Sequence, residues 1–353
     1  MEQTMDRRTA LQFGGAATVA AVAGCSDLLG GGDNSSSGSE QYSQYLGVRD
    51  NQVFFAYADF EALEELDTGE QNSGGEGGSG GSGDDFGFNE PMLAPAGGLF
   101  LIAFSAGFQL ASLGLGGLIQ TDEESDLDSQ GNQILLANET LVVIGDMDTD
   151  EIDERLTSSS DENLFATEYE QTEEADGYTF YEPVESSASG SEGSVVAVNG
   201  SELLSASSRE AIDSVISAKS GDGRAADEFD EFQWLLDNGG DGLMALGGYG
   251  PEGFDGFGDG SGSSGGDSTE SELDIVENSG GFVGSISLDS EEATSVLAAS
   301  SDQISEDQQS QIESDFQSER TDVSIDFQGD GRLVAEATYG REVLENGSSG
   351  SSA

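Results

Sequence analysis

The stretch that decides the fold is residues 139–156, which read ETLVVIGDMDTDEIDERL. Residues 139–144 form the clearest apolar, β-branched run in the chain and predict a strand. Asp148 follows and can accept the free N–H groups of a helix that begins at Thr149. Ile152 and Leu156 are four residues apart, so they lie on one face of that helix. The stretch therefore predicts a strand followed by a helix that packs on a sheet.

The same order of strand, aspartate and helix occurs twice more, without a fixed period. Residues 53–58 lead to Asp59, and residues 283–288 lead to Asp289. Each helix would then turn one apolar face to the sheet, formed by Leu63 and Leu66, by Ile152 and Leu156, or by Ala293 and Val296/Leu297. Helix capping needs only an acceptor at each aspartate, so a structural role is favoured over catalysis.

The rest of the chain predicts hairpins and amphipathic helices. Asn199-Gly200 is a tight-turn pair, and Ser207 with Glu210 has the spacing of a capping box. Further strands are expected at 177–181, 194–198, 202–205, 243–246, 273–276 and 282–288, helices at 207–219, 225–236 and 303–316, and a hairpin around 328–331. Hairpins pair antiparallel strands, so we predict an α+β fold with mostly antiparallel sheets, packed helices and two related halves.

Changes in composition divide the chain into segments. Stretches rich in Gly, Ser and Asp interrupt the patterned regions and predict flexible connections. The predicted segments are a signal peptide at 1–24, a lipidated cysteine and tether at 25–40, an α+β domain at 41–248, a linker at 249–271, a second α+β unit at 272–341 and a disordered tail at 342–353.

The charge of the chain is extreme. It has 71 acidic and 10 basic residues in 353, a formal charge of −61, and Lys219 is its single lysine. High net charge is typical of disorder, but 35 % hydrophobic content in patterned blocks favours a folded core. Concentrated salt screens such self-repulsion, so we predict a halophilic protein. Nucleic acid is not expected as a partner, because phosphate binding needs Lys and Arg.

The chain has no histidine and one cysteine, Cys25. This composition argues against Ser-His-Asp and Cys-His catalysis and against the usual zinc, copper, haem and iron–sulfur sites. We predict no catalytic residues, no metal site and no cofactor. A hydrolase that uses a pair of carboxylates stays open, but 71 acidic residues make any pair uninformative.

The first 25 residues have the layout of an export signal. Arg7 and Arg8 precede an uncharged run of small and apolar residues that ends in Ala-Gly-Cys25. This layout resembles a twin-arginine signal followed by a lipobox, in which the cysteine becomes the lipid-modified first residue. It predicts a lipid-anchored protein on the extracytoplasmic face of the cell membrane.

A second apolar segment, residues 91–121, contains no charged residue. Its length is sufficient to span a membrane, and burial against a sheet is the alternative. Both flanks are acidic, and no Lys or Arg marks a cytoplasmic side, so burial is favoured over spanning.

Two kinds of site motif remain. The carboxylates of residues 146–151 alternate as in a calcium loop, but Glu151 stands where the EF-hand has Gly and Thr157 where it has Glu. Incidental acidity is therefore favoured over cation binding. The glycosylation pattern Asn-x-Ser/Thr occurs at Asn34, Asn138, Asn199 and Asn346, and Asn199 also suits the tight turn.

Taken with the acidity, Arg7-Arg8 and the Ala-Gly-Cys25 ending are similar to those of haloarchaeal twin-arginine-exported lipoproteins of an uncharacterised family. The resemblance implies a lipid-anchored surface protein with a structural or interaction role, held to the membrane through Cys25 and meeting protein partners at the cell surface. A solute-binding lipoprotein of an uptake system is the alternative. Repeated βα units on a parallel sheet would favour that class, whereas this chain predicts hairpins.

Overall fold

One antiparallel sheet runs through the described part of the molecule. The structure, a computed structural model, describes residues 38–65, 92, 105–119, 127–158, 167–184, 193–250, 279–288, 292–301, 304–316, 322–329 and 331–340. Contacts divide the chain into Met1–Ser36 and Ser37–Ala353, and all described residues belong to the second unit. Arg7, Arg8, Cys25, Asn34 and Asn346 lie outside the described residues, as do most of the predicted tether, most of the predicted linker, the predicted strand 273–276 and the tail.

The strands are β1 (Val53–Asp59), β2 (Gln130–Ala137), β3 (Thr140–Asp146), β4 (Tyr169–Ala175), β5 (Tyr178–Pro183), β6 (Val195–Asn199), β7 (Glu202–Ala206), β8 (Met244–Tyr249), β9 (Gly281–Leu288), β10 (Glu292–Ser300), β11 (Asp322–Gln328) and β12 (Arg332–Gly340). Their order in the sheet is β11-β12-β10-β9-β8-β1-β2-β3-β7-β6-β5-β4, and every neighbouring pair is antiparallel. The predicted α+β class with mostly antiparallel strands is confirmed.

Helices cover both faces of the sheet. They are α1 (Gly38–Ser43), α2 (Phe60–Glu65), α3 (105–112), α4 (Thr149–Thr157), α5 (Arg209–Ser220), α6 (Ala225–Glu228), α7 (Asp230–Gly239) and α8 (Glu306–Phe316). One apolar core holds the buried residues of α3, α4 and α8, and the other holds those of α1, α5, α6 and α7. Because strand side chains alternate between the faces, the sheet supplies both cores.

The stretch 139–156 folds as predicted. Strand β3 ends at Asp146, and Asp148 caps α4 by accepting from the backbone N–H groups of Asp150 and Glu151. Ile152 and Leu156 are buried against the sheet. The first copy of the pattern also forms, because β1 leads to Asp59, whose Oδ1 accepts from the Ala62 N–H at 3.0 Å.

The third copy is wrong. Residues 292–300 form strand β10, not a helix, and pair with β9 on one side and β12 on the other. Ala293, Ser295 and Leu297 are buried in alternation. A spacing of four residues fits two periods of a strand as well as one helical turn, and here the two neighbouring strands decide in favour of the strand.

The predicted halves share one sheet. Strand β8 lies before the predicted linker 249–271 and β9 lies after it, and the two pair from Met244 with Ile286 to Tyr249 with Gly281. The predicted linker therefore does not separate two sheets.

Several boundaries also differ from the predictions. Ser208, not Ser207, caps α5, because its side chain accepts from the Ala211 N–H. The predicted helix 225–236 is divided into α6 and α7 at Phe229, which is extended. Helix α1 includes residues 38–40 of the predicted tether and is held to the body by hydrogen bonds from Ser39 to Asp241.

The apolar segment 91–121 is described in part, at Met92 and 105–119. Within it, the buried face of α3 consists of Ala106 and Leu110, and the following turn buries Leu113, Leu115 and Leu118. None of the described helices is long and apolar enough to cross a membrane.

Candidate functional site

The one lysine of the chain belongs to a buried polar group, here called the Lys219 cluster and consisting of Lys219, Glu202, Tyr45 and Tyr178. Oε1 of Glu202 accepts from the Tyr45 hydroxyl at 2.8 Å and from Nζ of Lys219, while Oε2 accepts from the Tyr178 hydroxyl. The Glu202 side chain is 4 % exposed and the Lys219 side chain 31 %. The cluster thus lies under the surface with its ammonium group at the edge.

Local structure places each member of the cluster. The turn at Gly200 and Ser201 closes the β6–β7 hairpin. Glu202 is therefore the first residue of β7 and pairs with Asn199 and Ile144. Lys219 lies in the last turn of α5, which ends at Gly221 in the left-handed conformation with φ 99°. The stem of Lys219 can lie along apolar surface while its amine reaches Glu202.

The electrostatics keep both phenols protonated. Burial, together with the charge of Glu202, raises the pKa of Tyr45 above its usual range. Burial and the hydrogen bond to Glu202 do the same to the pKa of Tyr178. Both hydroxyls therefore act as donors, and Nζ of Lys219 lies 5.6 Å from the ring centre of Tyr45 and 5.9 Å from that of Tyr178.

The hydrogen bonds of the Lys219 cluster hold several elements of the fold together. Glu202 receives three donors, which balance its charge and occupy both of its oxygens. A carboxylate whose two oxygens are both engaged in this way has a structural role. The cluster connects β7, β5, α5 and the turn after α1. It therefore joins elements that are far apart in the sequence, from Tyr45 to Lys219.

A cavity of about 200 Å³ lies between α1 and α7. Its polar lining includes Glu40, Asp237 and Asp241 with Ser39 and Ser43. Oδ1 of Asp241 accepts from the N–H of Ser39 at 3.2 Å and from its hydroxyl at 2.7 Å. Across the described ranges no group of three acidic side chains has the geometry of a metal site.

The acidic residues 146–151 have structural roles at two positions. Asp148 caps α4, and its own N–H donates to the Ser129 hydroxyl. The Glu151 carboxylate accepts from the N–H groups of Asp128 and Ser129 and from the Ser129 hydroxyl. Burial opposes ionisation of Glu151, but these hydrogen bonds and the charge of Arg155 hold its pKa below the usual value.

The two described asparagines with the glycosylation pattern have their side chains in hydrogen bonds. Nδ2 of Asn138 donates to the Gly47 carbonyl at 3.0 Å, and its Oδ1 accepts from the Phe54 N–H at 2.9 Å. Asn138 adopts a φ of 52° in the β2–β3 turn. Oδ1 of Asn199 accepts from the N–H and hydroxyl of Ser201. Asn199 is the last residue of β6, so the turn lies at Gly200 and Ser201, one residue later than the predicted Asn199-Gly200 pair.

The outer face of α3 is uncharged and carries one exposed aromatic side chain. Phe108 is 74 % exposed and is the one large hydrophobic residue in this state among the described positions. Ser105 and Ala111 are exposed on the same helix. Nε2 of Gln109 donates to the Ser205 hydroxyl at 2.8 Å, which fixes the helix to β7.

Sequence reasoning did not single out Tyr45, Tyr178, Glu202 or Phe108. One signal was present for the first three: a single lysine among 71 acidic residues marks the position where a specific carboxylate partner is expected. Nothing in the sequence distinguishes Phe108 from the buried apolar residues around it.

No protein-family model and no curated protein sequence matches the chain. Crystal structures of TP0453 align with most of it. Form III is 15 % identical with a TM-score of 0.39, form I is 14 % identical with 0.40, and form IV is 13 % identical with 0.39. The alignments cover 85–87 % of this chain and 94–97 % of TP0453. Similarity at this level carries no functional argument.

Proposed function

We propose that this chain is a lipid-anchored protein of the extracytoplasmic membrane face of a halophile, with a structural or interaction role and no catalytic one. The observation that carries the proposal is Cys25, the single cysteine, at the end of a signal-like segment that begins with Arg7 and Arg8. A lipid on Cys25 would leave residues 26–37 between the anchor and α1.

The charge supports a salt-rich environment. A formal charge of −61 opposes a compact state at low ionic strength. Molar salt shortens the screening length to about 3 Å, which weakens this repulsion. The folded unit would therefore be most stable in concentrated salt.

The Lys219 cluster supports an interaction role over catalysis. Both oxygens of its carboxylate accept hydrogen bonds from side chains of the cluster, so this carboxylate joins elements of the fold. The antiparallel sheet also argues against the solute-binding alternative, since that class is expected to have βα units on an open parallel sheet. The outer surface is then where the protein would act.

Substituting Cys25→Ser tests the anchor. We expect the natural protein to sediment with membranes and to incorporate labelled lipid precursor, and Cys25→Ser to lose the label and shift to the soluble fraction. Arg7→Lys with Arg8→Lys is the matched control for export, because it keeps the charge and removes the arginine pair. Lipid label on the Cys25→Ser protein would overturn the assignment of the anchor.

Crosslinking on intact cells in native salt tests the interaction role. An exposed residue in each helix layer, Glu210 in α5 and Gln308 in α8, can carry a photoreactive group in turn. We expect discrete protein adducts from at least one position. If neither position yields an adduct and the purified protein turns over a substrate, the interaction role is wrong.

A further inference from the structure

We propose that the outer face of α3, centred on Phe108, inserts into the membrane surface as a second contact beside the lipid on Cys25. The inference deepens the proposed function and rests on it, because the lipid is what would bring α3 to a bilayer. The occupant that we assign to this face is the interfacial region of the lipid bilayer.

The orientation of Phe108 is set by the rest of α3. Ala106 and Leu110 are buried in the core under the helix, and the side chain of Gln109 is bonded to Ser205. Phe108 therefore cannot turn inward without unpacking α3. The packing of α3 therefore leaves the Phe108 side chain 74 % exposed.

The charge pattern distinguishes this face from the rest of the chain. Charged residues make up 23 % of the sequence, yet none occurs in residues 91–121. A charged side chain resists transfer into a bilayer, whereas Phe, Ala and Ser are tolerated at its surface. The segment that contains Phe108 therefore has no charged side chain to oppose its transfer to a bilayer surface.

The size of the face favours a bilayer over a protein partner. The described part of α3 exposes one large apolar side chain, that of Phe108, whereas a specific protein interface covers about 800 Å² on each partner. Shallow insertion of one aromatic side chain needs no matching polar groups. One acyl chain alone holds a protein only marginally, so a second apolar contact has a clear energetic role.

The chain length permits both contacts at once. Covalent geometry limits the distance from Cys25 to Gly38 to about 45 Å. Helix α1 and α3 belong to the cores on opposite faces of the sheet. Three layers of about 10 Å each separate those faces, which is less than this reach.

The experiment places a fluorescent reporter at residue 108. The full chain carries Phe108→Trp with Trp234→Phe, so that position 108 holds the one tryptophan. The matched control carries Glu210→Trp with Trp234→Phe, because Glu210 is exposed on α5, in the opposite helix layer. Both proteins are isolated with their lipid and reconstituted into phosphatidylcholine vesicles in molar salt, with and without brominated acyl chains.

We expect the emission of the reporter at 108 to shift to the blue and to be quenched by the brominated lipid, while the reporter at 210 stays accessible to an aqueous quencher. In the natural background, Phe108→Ser should weaken vesicle binding about tenfold and Phe108→Leu much less, as for loss of one buried apolar side chain. Binding through this face should persist or increase with salt, unlike binding through a basic patch.

Two results would overturn the proposal. If the reporter at 108 remains accessible to the aqueous quencher on vesicles that hold the lipidated protein, α3 is not inserted. If it becomes protected without quenching by brominated lipid, and more so at higher protein concentration, the face binds a second copy instead. A lipid label on Cys25 is measured separately, so failure of the anchor and failure of the α3 contact are distinguishable.

Discussion

Nζ of Lys219 donates to Oε1 of Glu202, and this pair joins the chain's single lysine to a carboxylate that is 4 % exposed. Removing one partner of a buried pair leaves a charge without compensation, which costs about 3–5 kcal/mol. We expect Lys219→Met and Glu202→Ala each to lower the free energy of unfolding by an amount at or below that range, since Lys219 is partly exposed. Urea titration in molar salt measures the change.

The matched control is the exposed pair of Arg49 and Glu139, whose side chains are 42 % and 55 % exposed. Glu139→Gln should change stability by less than about 1 kcal/mol. The double variant Lys219→Met with Glu202→Ala should lose less stability than the two single effects added together, because no buried charge remains. Equal losses of stability at the buried pair and at the exposed pair would contradict the stabilising role described for the Lys219 cluster.

Alkaline pH should unfold the protein through its buried tyrosines. Burial raises the pKa of Tyr169 to about 12 and raises the pKa of six further tyrosines: Tyr42, Tyr45, Tyr57, Tyr178, Tyr181 and Tyr249. Since an unfolded tyrosine has a pKa of about 10, their contribution to stability is complete below pH 10 and is lost as pH rises through the folded-state values.

We therefore expect the urea midpoint to fall steeply above about pH 10, with tyrosine ionisation and unfolding in the same transition. Tyr169→Phe removes one titrating group, so it should reduce the slope of stability against pH by up to one proton. A urea midpoint that stays level to pH 12 would contradict the burial of these side chains.

Glu151 should make the α4 region sensitive to acid. Its pKa is held below the usual value by bonds to Ser129 and Asp128 that outweigh its burial. A depressed folded-state pKa contributes stability above the unfolded value and loses it as pH falls through the folded one. Glu151→Gln should lower the free energy of unfolding at neutral pH by about 1–2 kcal/mol and have a smaller effect in acid.

Glu154→Gln is the control for that substitution, because Glu154 is exposed on the same helix. Its effect should stay within about 0.5 kcal/mol at both pH values. A difference between Glu151→Gln and the natural protein that does not depend on pH would indicate lost packing instead of a lost carboxylate.

Gly145 should be intolerant of any side chain. A Cβ atom there would lie 2.0 Å from the Gln130 carbonyl oxygen and 2.9 Å from Cα of its cross-strand neighbour Gly131. We expect Gly145→Ala to cost about 1–3 kcal/mol, the range for overpacking. Gly200→Ala is the matched control in the β6–β7 hairpin, because no atom lies within 4 Å of a Cβ there. Thermal unfolding of both variants compares the two positions.

The spacing of apolar residues predicts helices and strands well where it fits only one of them. It predicts them poorly where the same spacing fits both a helix and a strand. At Ile152 and Leu156 the capping Asp148 resolves the ambiguity in favour of a helix. At Ala293 and Leu297 the same spacing belongs to β10, where hydrogen bonds to β9 and β12 on both sides outweigh local preference. Those bonds come from distant residues, so a local pattern cannot reveal them.

Strands β2 and β4 are absent from the predictions for different reasons. Gly131 is the second residue of β2, and the pairing of β2 with β3 shifts register between Gly131 and Gln133. Both features interrupt the alternation of apolar and polar residues that would predict a strand. β4 buries Tyr169 and exposes mostly acidic and polar residues, because it lies at the edge of the sheet. Such an edge resists pairing with other chains, but its sequence has the composition of a loop.

The Lys219 cluster was beyond local prediction as well. Tyr45, Tyr178 and Glu202 come from three separate elements and meet only after the sheet has formed. For Phe108 the segment could be predicted, but the exposed residue within it could not. The uncharged segment 91–121 was visible in the sequence, but which residue faces outward depends on how α3 is seated.

Strand β1 lies near the middle of the sheet, and its second neighbour is made late. Phe54 and its flanking residues pair with β8 from Val53 with Tyr249 to Ala58 with Met244. Without residues 244–249, β1 would keep β2 on one side and have no strand on the other. An unpaired strand edge can pair with other chains, so a chain that lacks β8 should be prone to aggregate.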